Sequence, residues 1–317
     1  PFRRLAPSFG IFYHNFFSLS REESRFLSLS WKVPDRYAII LNQEVLHFMK
    51  DRLIFHIDVN SAFLSWESVY RLSLDPNALD LRTIPSAVGG DASSRHGIIL
   101  AKSTPAKKFG VVTGEPLTQA LKKCPQLTVV PSRFDYYIQC SEKMMDLLAN
   151  YTPDREQFSI DETFLDMTST IHLFGEPLAV ANAIREEIKH KLGFTVNVGI
   201  GPNKLLAKMA SDFEKPDKCH TLFSEEIPQK LWPLPIRDLF FVGGSAQKKL
   251  ESLGIRTIGQ LASSDLSVLK GLLGNKYAET ILRYANGIDD SPVAPKEAAN
   301  KGCGNSITLS RDVKDYD

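Results

Sequence analysis

Three acids stand where acids are costly to bury. Asp58 closes the apolar run Leu53-Ile54-Phe55-His56-Ile57, and Asp161 and Glu162 sit inside Phe158-Ser159-Ile160-Asp161-Glu162-Thr163-Phe164-Leu165. Adjacent strand residues point to opposite faces, so Asp161 and Glu162 can serve one ion only at a bend or hairpin edge. Two ionised carboxylates about 4 Å apart repel by roughly 4 kcal/mol at an effective dielectric near 20, and a divalent cation reverses that sign. Oxygen donors without His or Cys beside them select Mg²⁺ or Mn²⁺ over zinc. Each acid alone reads more simply as a solvated edge residue or a helix cap. As a set, at corresponding ends of neighbouring strands, they point to a metal site.

Periodicity supplies the elements that must bring these acids together. Residues 53–58 predict a buried strand and residues 62–72 a helix. Asp75-Pro76-Asn77 breaks the pattern, Val88-Gly89-Gly90-Asp91 predicts a turn, and residues 97–100 a short strand. Tyr137, Ser141, Met144, Leu148 and Tyr151 recur at steps of three and four, an amphipathic helix ended by Thr152-Pro153. Residues 157–167 alternate as a strand pair. Residues 177–192 predict a helix capped by Gly193, 195–199 a strand and 203–212 a helix. The order is that of a split βαβ plan with an insertion after its first helix. Beyond Pro228 short helices alternate with glycine turns as far as Asp290, and a polar stretch, 291–304, leads to residues 305–317. The expected class is α+β, a ferredoxin-like split βαβ unit carrying a small insertion, plus a small all-helical domain.

At 317 residues, 43% hydrophobic and 24% charged, the chain is long enough for two or three domains and too apolar for disorder. No apolar run reaches membrane-spanning length, so no membrane association is expected. Four scattered cysteines (Cys124, Cys140, Cys219, Cys303) form no CxxC pair, which argues against a zinc or disulfide framework and fits a reducing cytoplasm. The net charge of +1 is low for a protein that holds nucleic acid unaided. Residues 1–48 carry aromatics (Phe2, Phe9, Phe12, Tyr13, Phe16, Phe17) without a sustained period and without a signal-peptide layout. Met49 is the first methionine and stands just before the regular region, so it is the expected natural start, with an irregular or artefactual extension upstream.

The residues now resemble a known family. Phe55-His56-Ile57-Asp58-Val59-Asn60-Ser61-Ala62-Phe63-Leu64-Ser65-Trp66-Glu67 resembles the first catalytic motif of the Y family of lesion-bypass, DNA polymerase IV-like enzymes, and Phe158-Ser159-Ile160-Asp161-Glu162 their second. Val198-Gly199-Ile200-Gly201-Pro202-Asn203-Lys204-Leu205-Leu206-Ala207-Lys208, with Lys215-Pro216, resembles their third. The similarity runs from about Met49 to Asp317. It implies a palm (49–72 and 134–224), inserted fingers (73–133), a thumb (225–290) and, in 291–317, a linker and the start of a basic little-finger domain before which the chain is truncated. That missing domain would account for the weak net charge and would carry the sliding-clamp contact.

Carried over residue by residue, the resemblance implies two Mg²⁺ ions (Mn²⁺ as a substitute) bridged by Asp58 and Asp161, with the Val59 carbonyl and Glu162 completing the ligands. Phe63 falls at the sugar-discriminating position; on periodicity alone it would be a core residue. The second aromatic usual before it is Ala62 here, which implies looser packing behind the gate. Lys215 matches the lysine on the incoming triphosphate, otherwise a solvated surface charge. Where the family offers Tyr and Arg to the phosphates, this chain has Thr104 and Lys107, a shorter hydroxyl and a cation without a planar fork. Pro105 is expected to hold Thr104 extended. Phe241-Val242-Gly243-Gly244-Ser245 resembles the hairpin of a helix-hairpin-helix, with amides of Val242, Gly243 and Gly244 toward a DNA phosphate, although the usual first glycine is Phe241. The implied activity is template-directed, low-fidelity DNA synthesis on primer-template DNA from dNTPs, by a monomer. An inactive relative acting as a DNA-damage adaptor is the alternative, and a two-metal nuclease or nucleotidyl cyclase on a similar palm is a third.

Overall fold

The computed structural model describes residues 52–90, 97–294 and 304. The expected extension 1–48, the start at Met49 and most of the linker 291–317 lie outside the described residues.

A five-stranded sheet carries the acids. Its strands are β1 (Ile54–Val59), β5 (Arg155–Gln157), β6 (Glu162–Asp166), β7 (Val196–Gly201) and β8 (Cys219–Thr221), in the order β5-β6-β1-β7-β8. The central strand β1 is antiparallel to both β6 and β7, whereas β7 and β8 are parallel. All six residues of β1 are buried, because helices cover both faces. Phe55, Ile57 and Val59 enter the main core with Trp66 of α1 (Ala62–Leu74), Tyr137 and Met144 of α4 (Phe134–Leu148), and Ile184 and Ile188 of α5 (Pro177–Leu192). The alternate residues Ile54, His56 and Asp58 face α6 (Lys204–Ser211), where Ile54 meets Phe164 and Ala207. This is the expected split βαβ order, with β8 as a fifth strand that the sequence pattern did not reveal.

Helix α6 lies close on β7. A Cβ on Gly199 would fall 1.9 Å from the Ala207 carbonyl oxygen and 2.4 Å from the Ser211 nitrogen. Glycine is required there by approach of backbone to backbone. Helix α5 ends as expected at Gly193, whose φ of 80° no branched residue would adopt cheaply.

The insertion is a small lobe with a three-stranded sheet, order β3-β2-β4, formed by β2 (Ser86–Gly89), β3 (Ile99–Lys102) and β4 (Thr128–Val130). Helices α2 (Thr104–Lys108) and α3 (Leu117–Lys123) close over a core of Ala87, Ile99, Ala106, Leu117 and Ala120. Two expectations are corrected here. Val88 and Gly89 end a strand rather than form a turn; the register shifts between them, and a Cβ on Gly89 would lie 2.9 Å from the Ile98 carbonyl oxygen. The glycine marks a bulge and a close strand approach, and Asp91 lies outside the described residues. Thr104 is not extended before Pro105 but opens α2. Ser103 caps that helix by accepting the Ala106 amide at 3.1 Å, and Pro105 falls in the first turn, where its missing N–H costs nothing.

The C-terminal helices are α7 (Gly244–Ser252), α8 (Ile258–Ala262), α9 (Leu266–Leu273) and α10 (Asn275–Ala285). Thr257 and Gln260 form a capping box at α8, and Asp265 caps α9. Their core includes Leu250, Ile258, Leu261, Leu269 and Ile281, and it is continuous with Leu205, Leu206 and Met209 of α6. No helix among the described residues is long and apolar enough to cross a membrane.

Candidate active site

Strand register places Asp58 directly opposite Glu162 on the β1–β6 pair. Asp161 sits in the turn that precedes β6, where its carbonyl accepts the Val59 amide at 3.1 Å. This is the hairpin edge that two adjacent acids require. Like charges directly opposite on paired strands are destabilising, and the chain offsets them with cations. Lys208 Nζ lies 2.5 Å from Glu162 Oε2, and His56 Nε2 lies 3.4 Å from the same oxygen. The Lys215 ammonium pairs with Asp58 and stands 2.8 Å from Asp212. Asp161 accepts a hydrogen bond from Ser159 Oγ at 2.6 Å.

The balance of burial and cations differs between the two opposed acids. Burial pushes the Asp58 carboxyl up to about 6; Lys215 pulls against the rise, and Glu162 and Asp161 add to it. Burial works against ionised Glu162 too, but the contacts made with His56 and above all the Lys208 ion pair outweigh it and hold the carboxyl at about 2. His56 is itself pushed down to about 4 by burial. Its Nδ1 lies 2.8 Å from Ser211 Oγ, so the ring is clamped between α6 and Glu162.

Among the described residues, no three donors from His, Cys, Asp or Glu side chains are gathered into a metal cage. The backbone brings the three acids to one sheet edge, but each carboxylate is turned to its own partner: Lys215, Ser159 or Lys208. The site also has a histidine beside it, His56, where the sequence reading placed none. The chemistry of the donors still suits a hard cation, because two of the three carboxylates already hold a positive charge supplied by lysine.

A cleft of about 340 Å³ opens between the sheet edge and the inserted lobe. It brings together six residues singled out from sequence: Val59, Phe63, Thr104, Lys107, Asp161 and Lys215. Asp58 and Glu162 are not part of its lining; Asp58 is only 8% exposed. Phe63 enters the cleft because Ser61, in the left-handed region at φ 49°, turns the chain sharply from β1 into α1. The looser packing expected from Ala62 is not found. Ala62 is buried in the core, and the backing comes from α4: Tyr137 stacks on Phe63 at 5.1 Å and 14°, with Phe134 edge-on at 5.6 Å. The Tyr137 hydroxyl donates to buried Glu67 at 3.3 Å, and Arg71 and Arg133 pair with that carboxylate.

Motif reading missed Asn60 and Asn197, which hold the loop that carries Lys215. Asn60 Oδ1 accepts the Asp217 amide at 2.7 Å, and Asn60 Nδ2 donates to Asn197 Oδ1 at 3.1 Å. Asn197 Nδ2 in turn donates to the Ser211 and Glu214 carbonyls at 2.9 and 2.7 Å. The signal available in sequence was an asparagine just past the end of one apolar strand and another inside a second. Lys208 was within a quoted motif, but only tertiary contact shows its partner.

The glycine hairpin lies apart from the cleft. Phe241 adopts φ 78°, the left-handed conformation its usual glycine would take, so the turn is kept despite the substitution. The Val242 amide is spent inside the turn on the Leu239 carbonyl, at 3.0 Å. Gly243 caps α7 and Gly244 begins it, and a Cβ on either would meet open space. Free amides at the start of α7 therefore come from Gly243 onward.

Comparison with known proteins gives consistent results. Residues 57–212 match the impB/mucB/samB family, and residues 237–289 match the thumb domain of DNA polymerase iota. DNA polymerase IV of Clostridium acetobutylicum is 51% identical over 264 residues, covering 83% of this chain and 66% of that protein. DNA polymerase IV 1 of Bacillus subtilis is 42% identical over 267 residues, covering 84% and 62%. The chain thus spans just under two thirds of these relatives' length. Among solved structures, a Y-family DNA polymerase chimera superposes with a TM-score of 0.69 at 28% identity, over 78% of this chain and 70% of that one. DinB from Sulfolobus solfataricus gives 0.67 at 28% identity, over 76% and 69%. On these grounds the chain belongs to the Y family of DNA polymerases.

Proposed function

We propose that this chain is the catalytic core of a translesion DNA polymerase, which transfers a nucleotide from a dNTP to a primer 3′-hydroxyl under template direction. The observation that carries the reading is the opposition of Asp58 and Glu162 on β1 and β6, with Asp161 in the adjoining turn and on the wall of the cleft. The five-stranded unit is assigned as palm (49–72 and 134–224), the inserted lobe as fingers (73–133) and the C-terminal helices as thumb (225–290).

Asp58, Asp161, Glu162 and the Val59 carbonyl would hold two Mg²⁺ ions, with Mn²⁺ able to replace them. When bound, such ions lower the pKa of the attacking hydroxyl and neutralise charge on the departing pyrophosphate. The chain's own residues do the rest. Phe63, made rigid by Tyr137 and Phe134, places an aromatic face where a ribose 2′-hydroxyl would need room. Lys215 and Lys107 offer cations to the triphosphate, and Thr104 a hydroxyl. Lys208 keeps Glu162 ionised, and the buried His56 ring packs beside it. The amides of Gly243 and Gly244 lie where a helix N-terminus binds a backbone phosphate without reading bases. The protein is proposed to work as a monomer in the cytoplasm, with sliding-clamp contact made outside the regions described. Nothing in the described site favours an inactive adaptor, since all three carboxylates are present and engaged with polar partners.

The test is primer extension with Asp58→Ala and Asp161→Ala. Both variants are expected to lose Mg²⁺-dependent extension while still retarding primer-template DNA. Near wild-type extension by either one would overturn the assignment.

A further inference from the structure

Lys102 is the last residue of β3 and stands immediately before the turn into α2. Strand alternation puts Leu100 and Lys102 on one side of β3, half-buried, and both line the cleft; Ile99 and Ala101 are buried. The Lys102 ammonium donates to Thr113 Oγ1 at 3.0 Å, and among the described residues no carboxylate stands within ion-pair distance of it. Burial holds this amine below the usual lysine range, and Lys107 pushes it the same way, with Glu115 in opposition. A half-buried cation that faces a second cation is unfavourable in the empty cleft and becomes favourable when an anion enters. The wall opposite carries Asp161. A ligand with a hard cation at one end and several phosphates at the other would satisfy both walls together.

Resting on the proposed function, we propose that Lys102 is a third cation of the triphosphate subsite. It binds the β- or γ-phosphate alongside Lys107 and Lys215 and supplies the reach that Thr104 lacks. A lysine suits this place because its ammonium is a compact charge with three donors on a flexible stem, able to follow phosphates of varied position.

The experiment measures equilibrium binding of dATP, dADP and dAMP to the chain on a dideoxy-terminated primer-template, with Ca²⁺ in place of Mg²⁺. Lys102→Met is expected to weaken dATP about tenfold and leave dAMP unchanged, the scale of one charge-assisted hydrogen bond. Lys102→Arg should recover most of the loss. Thr113→Val, which removes only the partner hydroxyl, should bind dATP as wild type does. In steady-state extension by Lys102→Met the loss should fall on KM for the nucleotide rather than on kcat. Equal weakening of all three nucleotides, or a matching loss in Thr113→Val, would reduce Lys102 to a support of its lobe and overturn the proposal. If Lys102→Met binds dATP normally while Lys215→Met does not, the cleft reading stands and Lys102 has no part in it. If wild type itself fails to distinguish dATP from dAMP, the underlying function fails with it.

Discussion

The two walls of the cleft are built on different terms. The palm wall is buried, and its acids are tied to the sheet register, to α6 and to the Asn60–Asn197 pair. The lobe wall is exposed at Thr104 and Lys107 and stands on a small core of its own. Charge on the palm side is expensive, so each carboxylate has a dedicated partner there. Charge on the lobe side is cheap, and a different residue type can occupy a position without disturbing its neighbours. Two departures from the family pattern, Thr104 and Lys107, lie on the exposed wall, and the acids of the buried wall are kept; Ala62 departs on the buried side, where Tyr137 and Phe134 back Phe63 instead. Phe241 among the C-terminal helices is likewise exposed, at 57%, and takes a glycine's backbone conformation at φ 78° with the strain that a side chain carries there.

Substitutions on the two walls should therefore differ in scale. The largest effect is expected for Glu162→Gln, which removes the charge proposed to hold a metal ion and strands Lys208. Extension measured under single-turnover conditions should fall by about a thousandfold, several kcal/mol of transition-state stabilisation. Loss of less than tenfold would mean that the buried wall is not the seat of the chemistry. Phe63→Ala comes next. Opening the space that Tyr137 and Phe134 hold closed should cut discrimination between dATP and ATP by about ten- to a hundredfold, seen in single-nucleotide incorporation. Unchanged discrimination would make Phe63 a core residue only.

Asp58→Asn probes the cost of the buried wall itself. Burial raises the Asp58 carboxyl from 3.8 to about 6, so between these values the native state binds more protons than the unfolded chain. Wild-type stability contributed by this group is therefore lost as pH rises through that window. In EDTA, Asp58→Asn should equal wild type near pH 4 and exceed it by about 3 kcal/mol above pH 7 in urea unfolding. A variant less stable than wild type at pH 7 would show that the Lys215 pair outweighs burial. The smallest effect belongs to the exposed wall. Lys107→Met should raise KM for dNTP about fivefold with little change in kcat or stability, since a solvent-exposed ion pair contributes only about 1 kcal/mol. A loss as large as that of Glu162→Gln would erase the distinction between the walls.

The sequence by itself determined which residues could do chemistry and the order of elements that carries them. Asp58, Asp161 and Glu162 stood out because acids interrupt apolar strands, and short apolar runs followed by helical periodicity separated β1 from α1 and β7 from α6. It also suggested that adjacent acids need a hairpin edge, which the turn before β6 supplies. What it did not determine is what covers each face. Lys208 against Glu162, His56 against the same oxygen, and Tyr137 behind Phe63 are contacts between residues 46, 106 and 74 positions apart in the chain. Nothing local fixes such pairs. Periodicity tells a side chain which way to point, but the partner it finds there, and with it the charge state of an acid or the rigidity of a ring, is set by how helices pack across the sheet.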